Sequence, residues 1–276
     1  MDTLAGIGNV SVRRERVRET RMPLWQQITM LAWRSLVVTL RTPAVVIPSL
    51  IISVFFLLVY EATLGDAANF FLSGQSYLGF ILPLSIVSAA LSGAGTAGQA
   101  IVRDIENGYF DKLLLTPVSR GAVLLGPMIA GAIVLVLQTG LVTIVGLFMG
   151  LDPATGIVGL LTMLLFALLL GIAFAGFTVG IALRSGNAAA TQGASFLFFP
   201  LSFLTATFVP VDLLSGWIKT AAVYNPITYI LEAMRTLLNT GWDAEIMARG
   251  FASILLMAAI TYTFAIFSLR ARVRRK

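Results

Sequence analysis

The chain has no cysteine and no histidine among its 276 residues, and only 12% of its residues are charged. These absences exclude disulfides, thiol nucleophiles, imidazole bases and metal sites built from Cys and His. The sequence also has no G-x-x-x-x-G-K-[ST] segment, the loop that cradles nucleotide phosphates. The chain therefore does not bind ATP through a P-loop.

What the sequence has in abundance is apolar residues, at 58% of the chain, where soluble domains have about 45–50%. A membrane-spanning helix needs roughly 20 apolar residues, and the runs here are continuous rather than alternating, which excludes spanning strands. The sequence therefore predicts an all-α polytopic membrane protein. Six spans are predicted, at about 43–61, 75–102, 121–149, 156–183, 190–209 and 247–269.

The basic residues predict the orientation of the chain. With the N-terminus inside, sixteen of the nineteen Lys and Arg residues fall in inner segments, as the positive-inside rule requires. We therefore expect a plasma (bacterial inner) membrane protein with two cytoplasmic basic tails, 1–22 and 270–276. The basic excess follows from this topology, so it does not indicate nucleic-acid binding.

Residues 23–41 are predicted to form an amphipathic helix in the membrane interface. Its apolar stripe and its polar edge fall on different sides, although an ordinary amphipathic helix packed on protein gives the same pattern. The stripe contains Trp25, Ile28, Ala32 and Leu36, and the polar edge contains Gln27, Arg34 and Arg41.

A charged connector segment, residues 103–120, interrupts two long apolar runs and reads R-D-I-E-N-G-Y-F-D-K-L-L-L-T-P-V-S-R. Phe110, Leu113 and Leu114 recur at helical spacing, which predicts a short amphipathic helix. Asn107-Gly108 is expected to end the preceding helix, and Pro117 to end the short one. Two interpretations stay open: a cytoplasmic loop that is merely polar, or a stiff element that transmits force from a soluble partner.

A second distinctive stretch, 210–240, includes an uncharged run of twelve residues, which is too short to span a membrane. Pro210 and Pro226 interrupt the stretch, and aromatic residues such as Trp217 and Tyr229 are suited to the membrane interface. We expect two short helices that dip into the outer leaflet.

Both stretches resemble segments of the type-2 ATP-binding-cassette (ABC) export permeases, especially the daunorubicin-resistance-like branch. The connector is similar to the E-x-G-x-x-x-x-L-L-x-T-P-V-x-R segment of that family, and the later stretch to its F-P-x-x-x-L-P-x-W-x…N-P-x-T-Y…R pattern. Val209, where the family usually has Phe, and Ser215-Gly216, where Leu-Pro is commoner, depart from the second pattern. The matching positions are Glu106, Gly108, Leu113, Leu114, Thr116, Pro117, Val118 and Arg120 in the first, and Pro210, Leu214, Trp217, Asn225, Pro226, Thr228, Tyr229 and Arg235 in the second.

The resemblance implies a transport subunit with no enzyme activity of its own. It implies a permease domain at 42–269 that dimerises with itself or a related permease. It also implies that two P-loop ATPase subunits bind the ATP and Mg²⁺, and that outer re-entrant helices lie between spans five and six. The connector would be the coupling helix that contacts the ATPase, through Glu106, Gly108, Asp111, Lys112, Leu113, Leu114, Thr116, Pro117 and Arg120.

Cargo is predicted less sharply. An uncharged interior and the family branch favour an amphipathic drug, a lipid or a lipid-linked metabolite. Polysaccharide or glycolipid exporters of the same fold remain an alternative. Neutral polar residues in the spans could line a path for cargo or simply hydrogen-bond between helices. The candidates are Gln99, Gln138, Gln192, Ser195 and Thr205.

Two other classes are disfavoured. An ion-coupled carrier usually keeps a charged residue inside a span, and none lies deep in the six predicted here. A membrane enzyme acting on lipids would have to use Asp104, Glu106 and Asp111, whose spacing matches no such active site.

Overall fold

A computed structural model of the chain describes residues 22–68, 76–195, 200, 204–205 and 211–274. Within these ranges every regular element is helical, as the continuous apolar runs predict. The helices are α1 (Leu24–Leu40), α2 (Pro43–Ala68), α3 (Tyr77–Glu106), α4 (Tyr109–Leu114), α5 (Arg120–Phe148), α6 (Gly156–Ser185), α7 (Ala188–Ser195), α8 (Gly216–Tyr224), α9 (Pro226–Asn239) and α10 (Ala244–Arg274), with a 3₁₀ turn at Val211–Leu213.

Five helices in the described ranges are long and apolar enough to cross a membrane: α3, α5, α6, α10 and the Val46–Gly65 part of α2. A 30-residue helix such as α3 is about 45 Å long, more than the roughly 30 Å of a hydrocarbon core. These helices coincide with five of the six predicted spans and confirm a multi-pass helical membrane protein. The sixth, 190–209, begins within α7, and most of it lies outside the described residues.

Helix α3 lies at the centre of the bundle, and α2 lies at its edge. In the most apolar stretch of α3, 94% of the residues are buried by the rest of the chain, against 11% in α2. α3 packs against α2, α5, α6, α7 and α9. A displacement of α3 would therefore alter its packing against most of the other helices in the bundle.

The core consists of two main apolar clusters, one near each end of the bundle. The cluster at the connector end surrounds Phe110 and includes Val102 and Leu269. The cluster at the opposite end, called the far end below, joins α3, α6 and α9 through residues such as Ile81 and Leu231. The chain thus places the connector and the 210–240 stretch at opposite ends of the bundle.

Small residues allow close approach of the helices. A Cβ added to Gly176 of α6 would lie 2.8 Å from the Thr261 hydroxyl oxygen of α10. A Cβ added to Gly98 of α3 would lie 2.8 Å from the Thr178 carbonyl oxygen of α6. Real side chains essentially never make such contacts, so both positions need glycine.

The predicted amphipathic helix forms as α1, but its apolar stripe is divided between two sides. Ala32 and Leu36 are buried against the bundle, whereas Trp25 is 64% exposed. Gln27, which the sequence assigned to the polar edge, is buried as well. The reason is that Gln27 and Arg34 make hydrogen bonds to the connector, so this part of the polar edge faces protein, while Arg41 is exposed.

Candidate functional site

The connector segment folds as a helix–turn–helix at the connector end of the bundle. α3 ends at Glu106, and Gly108 adopts a left-handed conformation with φ of +69°, which favours glycine. The six-residue helix α4 follows, and the Ser119 hydroxyl then caps α5 by accepting a hydrogen bond from the Ala122 amide, at 3.1 Å. The predicted breaks at Asn107-Gly108 and before Pro117 are confirmed.

One face of the connector is turned inward. Phe110 is only 1% exposed and belongs to the apolar cluster at the connector end. Leu113 and Leu114 are partly buried and pack against the same cluster. These three apolar residues therefore anchor α4 to its own bundle.

The opposite face of the connector is exposed. Its most prominent apolar residue is Leu115, with 88% of its surface exposed, and it was not among the sequence-predicted contact residues. The signal for it is the run of three leucines, because three consecutive positions on a helix cannot all face the same side. Of the predicted coupling residues, those that are exposed are Glu106, Lys112, Thr116, Pro117 and Arg120, while Gly108 and Asp111 are partly exposed.

Helix α1 contacts the connector through an ion pair that sequence reasoning missed. The Arg34 guanidinium donates two hydrogen bonds to the Asp104 carboxylate, at 2.7 and 2.9 Å. The same guanidinium lies over the Tyr109 ring, 3.9 Å from its centroid. Hydrogen bonding to Asp104 raises the pKa of Arg34 above its ordinary value, so Arg34 keeps its positive charge.

The C-terminal end of α10 reaches the same region. The Arg272 guanidinium donates to the Leu183 carbonyl of α6 at 3.1 Å and lies 5.8 Å from the Phe110 ring. Arg184 donates to the Ser268 hydroxyl at 3.1 Å. Basic residues predicted to lie inside are therefore collected at one end of the bundle.

At the far end, the Asn225–Tyr229 part of the second motif caps and begins helix α9. The Asn225 side chain accepts a hydrogen bond from the Ile227 amide at 3.0 Å and donates one to the Leu204 carbonyl at 2.9 Å. Pro226 occupies the first turn of α9, where its missing N–H costs nothing. The Tyr229 hydroxyl donates to the Val223 carbonyl at 2.7 Å, which ties α9 to α8.

The other members of this motif behave differently. Trp217 is 69% exposed on α8, as an interface anchor should be. Pro210 lies outside the described residues. Arg235, which the sequence places among the outer basic residues, is buried: its Nε donates to the Phe80 carbonyl at 2.8 Å, and its guanidinium lies 3.5 Å from the Phe80 ring centroid.

The five neutral polar residues predicted in the spans do not form one path. The Gln99 amide donates to the Gln192 side-chain oxygen at 2.6 Å, and Ser195 lies beside Gln192 against Gly95. Gln138 instead bonds the Ser49 hydroxyl of α2, at 2.7 Å. Thr205 pairs with Thr228 at the start of α9, at 2.7 Å.

Across the described part of the chain, no group of three or more Asp, Glu, His or Cys residues could hold a metal ion. The distinctive features are a bundle of apolar spans and, at one end, the short helix α4, which is held against the bundle and is followed by an exposed apolar and charged face. Together they define a multi-pass helical membrane protein.

The particular family follows from comparison with known proteins. A family model described as ABC-2 type transporter matches residues 26–239. Because this match covers most of the sequence, the chain belongs to the ABC-2 type transporter family. Members of this family are permease subunits, and the ATPase activity resides in a separate subunit.

Several curated relatives carry names that refer to drug resistance. The chain is 26% identical to a probable doxorubicin resistance ABC transporter permease, DrrC, of Mycobacterium tuberculosis, over 69% of this chain and 68% of the relative. It is 23% identical to the daunorubicin resistance ABC transporter permease DrrB1 of Streptomyces coeruleorubidus, over 86% and 83% of the two chains. It is 22% identical to the probable multidrug ABC transporter permease YbhR of Escherichia coli, over 74% and 56%.

Proposed function

We propose that this chain is the membrane permease of an ATP-driven exporter that moves an amphipathic drug, lipid or lipid-linked metabolite out of the cytoplasm or inner leaflet. The observation that carries the proposal is the exposed face of the connector, presented at the basic end of an ABC-2 permease. Leu115 is 88% exposed on this face, and covering it with a partner protein would be favourable.

In the proposed topology, residues 1–22 and 270–276 and the connector face the cytoplasm of a bacterial cell, where ATP is available. The clustering of Arg34, Arg184 and Arg272 at the connector end supports this orientation. α1, within residues 23–41, would lie at the inner membrane surface, with Trp25 and Trp33 toward the lipid headgroups. Trp33 is 68% exposed, which suits that position.

The complete permease domain, 42–269, would have six spans, with 190–209 as the fifth. α8 and α9 would be the outer re-entrant helices of the 210–240 stretch. A second permease copy and two P-loop ATPase subunits would complete the complex. The edge position of α2 leaves apolar side chains such as Ile51 and Phe55 exposed, at 59% and 56%, for that second copy or for lipid.

Mechanically, ATP binding would bring the two ATPase subunits together and press on the connector. Leu115 and Pro117 would enter an apolar cleft of the ATPase, and Glu106, Lys112 and Arg120 would fix its orientation through charge. For ATP to shift the permease between states, the connector must contact the two ATPase states differently.

The force would then reach the spans through α3. Gln99 lies seven residues before Glu106, which places both on the same side of α3, two turns apart. A displacement of this helix would therefore act directly on the Gln99–Gln192 hydrogen bond. Gln99, Gln192 and Ser195 form the described polar group best placed to meet cargo, whereas Gln138 and Thr205 would serve helix packing.

The proposal is tested by purifying the chain with its candidate ATPase and reconstituting both into vesicles. We expect the two proteins to copurify, and anthracyclines or lipid analogues to stimulate ATP hydrolysis and to be transported. An ATPase with its P-loop lysine replaced serves as the control. Transport that continues with this control, or with no ATPase present, would contradict the proposal.

A further inference from the structure

The connector touches α1 at three places along its length. Asp104, just before the end of α3, forms the paired hydrogen bonds with Arg34. Tyr109, the first residue of α4, lies under the same guanidinium. Ser119, just before α5, donates its amide hydrogen to the Gln27 side-chain oxygen at 2.7 Å. α1 therefore holds the segment before, within and after α4.

Apart from the apolar anchor formed by Phe110, Leu113 and Leu114, the orientation of α4 depends on these contacts. This helix has only six residues, too few for a stable isolated helix. It begins at Gly108, which makes no side-chain cap and has open space around its Cα, since an added Cβ would meet nothing within 4 Å. Gly108 is thus a joint between the long helix α3 and the short helix α4 that no side chain restrains.

The contacts of Arg34 are suited to restraining this joint. A guanidinium that binds a carboxylate with two parallel hydrogen bonds fixes an angle as well as a distance, which a lysine cannot do. The Asp104 side chain is 15% exposed and that of Arg34 is 37% exposed, so the pair is partly shielded from water. The face of the guanidinium restrains Tyr109 at the same time.

The space beneath the pair is nearly filled. A cavity of about 10 Å³ lies among Arg34, Leu31 and Phe110, about the space that one water molecule needs. Below it, a Cβ on Gly126 of α5 would lie 2.6 Å from the Leu31 Cβ, so α1 rests directly on α5. α1 is therefore a fixed support rather than a second mobile element.

We propose that Arg34 is a positioning residue for energy coupling. It locks α4 to α1 and α3, so that pressure on the connector moves α3 instead of rotating α4 about Gly108. This inference rests on the proposed function of the connector, and it assigns a mechanical role to a residue outside the segment that meets the ATPase.

The test compares four variants of the full chain: Arg34→Gln, Arg34→Lys, Asp104→Asn and a double variant, called the exchanged pair, that carries both Arg34→Asp and Asp104→Arg. Arg249→Gln is the control, because it breaks an exposed ion pair with Glu245 at the far end. Two quantities are measured: ATP hydrolysed per cargo molecule exported by the reconstituted complex, and amide hydrogen exchange of α4 in the permease alone.

We expect Arg34→Gln and Asp104→Asn to raise the ATP consumed per cargo molecule about five- to tenfold, the low end of usual coupling effects, since the pair is partly exposed. Exchange in Tyr109–Leu114 should become faster. Arg34→Lys should fall between these variants and the wild type, and the exchanged pair should restore some of the coupling.

The inference is overturned if Arg34→Gln matches Arg249→Gln in both measurements. If the single variants fail to insert, the exchanged pair decides: recovery supports the positioning role, and no recovery refutes it. A wild-type complex without ATP-driven transport would contradict the proposed function, and the exchange measurement would still show whether Arg34 fixes α4.

Discussion

Replacing Leu115 with alanine should weaken binding of the ATPase subunit by about 30-fold. The substitution removes three carbon atoms, each worth roughly 0.8 kcal/mol when buried. Because Leu115 is 88% exposed in the permease, nearly all of that surface is available to a partner. Allowing for incomplete coverage, the loss is about 2 kcal/mol, which corresponds to the stated change in Kd at 25 °C.

The assay is titration of the ATPase onto permease held in lipid nanodiscs, with a non-hydrolysable ATP analogue present. Phe148→Ala is the matched control, since Phe148 is 87% exposed but ends α5 at the far end of the bundle. Leu114→Ala is a second comparison: Leu114 packs against its own bundle, so its loss should lower thermal stability more than ATPase affinity. The reasoning fails if Leu115→Ala binds as tightly as the wild type, or if Phe148→Ala weakens binding equally.

Three further predictions concern topology, packing and coupling. Because the chain lacks cysteine, single cysteines introduced at Thr116 and Ser215 report the topology without background labelling. An impermeant maleimide should label Ser215→Cys in intact cells and Thr116→Cys only after lysis. The reverse labelling pattern would show that the bundle has the opposite orientation. Gly176→Leu should cost about 1–3 kcal/mol through overpacking and lower the thermal unfolding midpoint. Gly140→Leu should not, because a Cβ added at Gly140 would meet nothing within 4 Å. Equal midpoints would contradict the packing argument. Glu106→Ala should reduce ATP-driven transport while the amount of inserted permease stays constant, and undiminished transport would remove Glu106 from the coupling surface.

The spans and the breaks around α4 could be predicted because their causes are local. An apolar run of sufficient length has few alternatives to a spanning helix, and Gly108 and Pro117 impose backbone limits on their own neighbours. The position of the connector could also be predicted, because its charged residues lie between two uncharged runs.

The contacts that give the site its geometry could not be predicted in the same way. Arg34 and Asp104 are 70 residues apart in sequence, and no local pattern pairs them. Arg235 counts as an outer charge in the sequence because a single sequence does not distinguish a loop arginine from one buried against a helix carbonyl. The sequence assigned Leu113 and Leu114 to the ATPase contact, whereas the structure packs both against their own bundle. Their inward orientation is what leaves Leu115 outside.

The continuity of α3 has a geometric consequence. It runs for 30 residues, from a first turn where Arg235 grips the Phe80 carbonyl to Glu106 at the cytoplasmic joint proposed above. If that grip acts as a pivot, a tilt of about 5° would move Glu106, about 39 Å from Phe80 along the helix, through an arc of about 3.4 Å. At the level of Gln99 the displacement would be about 2.5 Å, enough to break a hydrogen bond between two amides that are 2.6 Å apart. In the proposed mechanism, a displacement of the connector little larger than the length of a hydrogen bond would therefore be sufficient to break the Gln99–Gln192 contact inside the bundle.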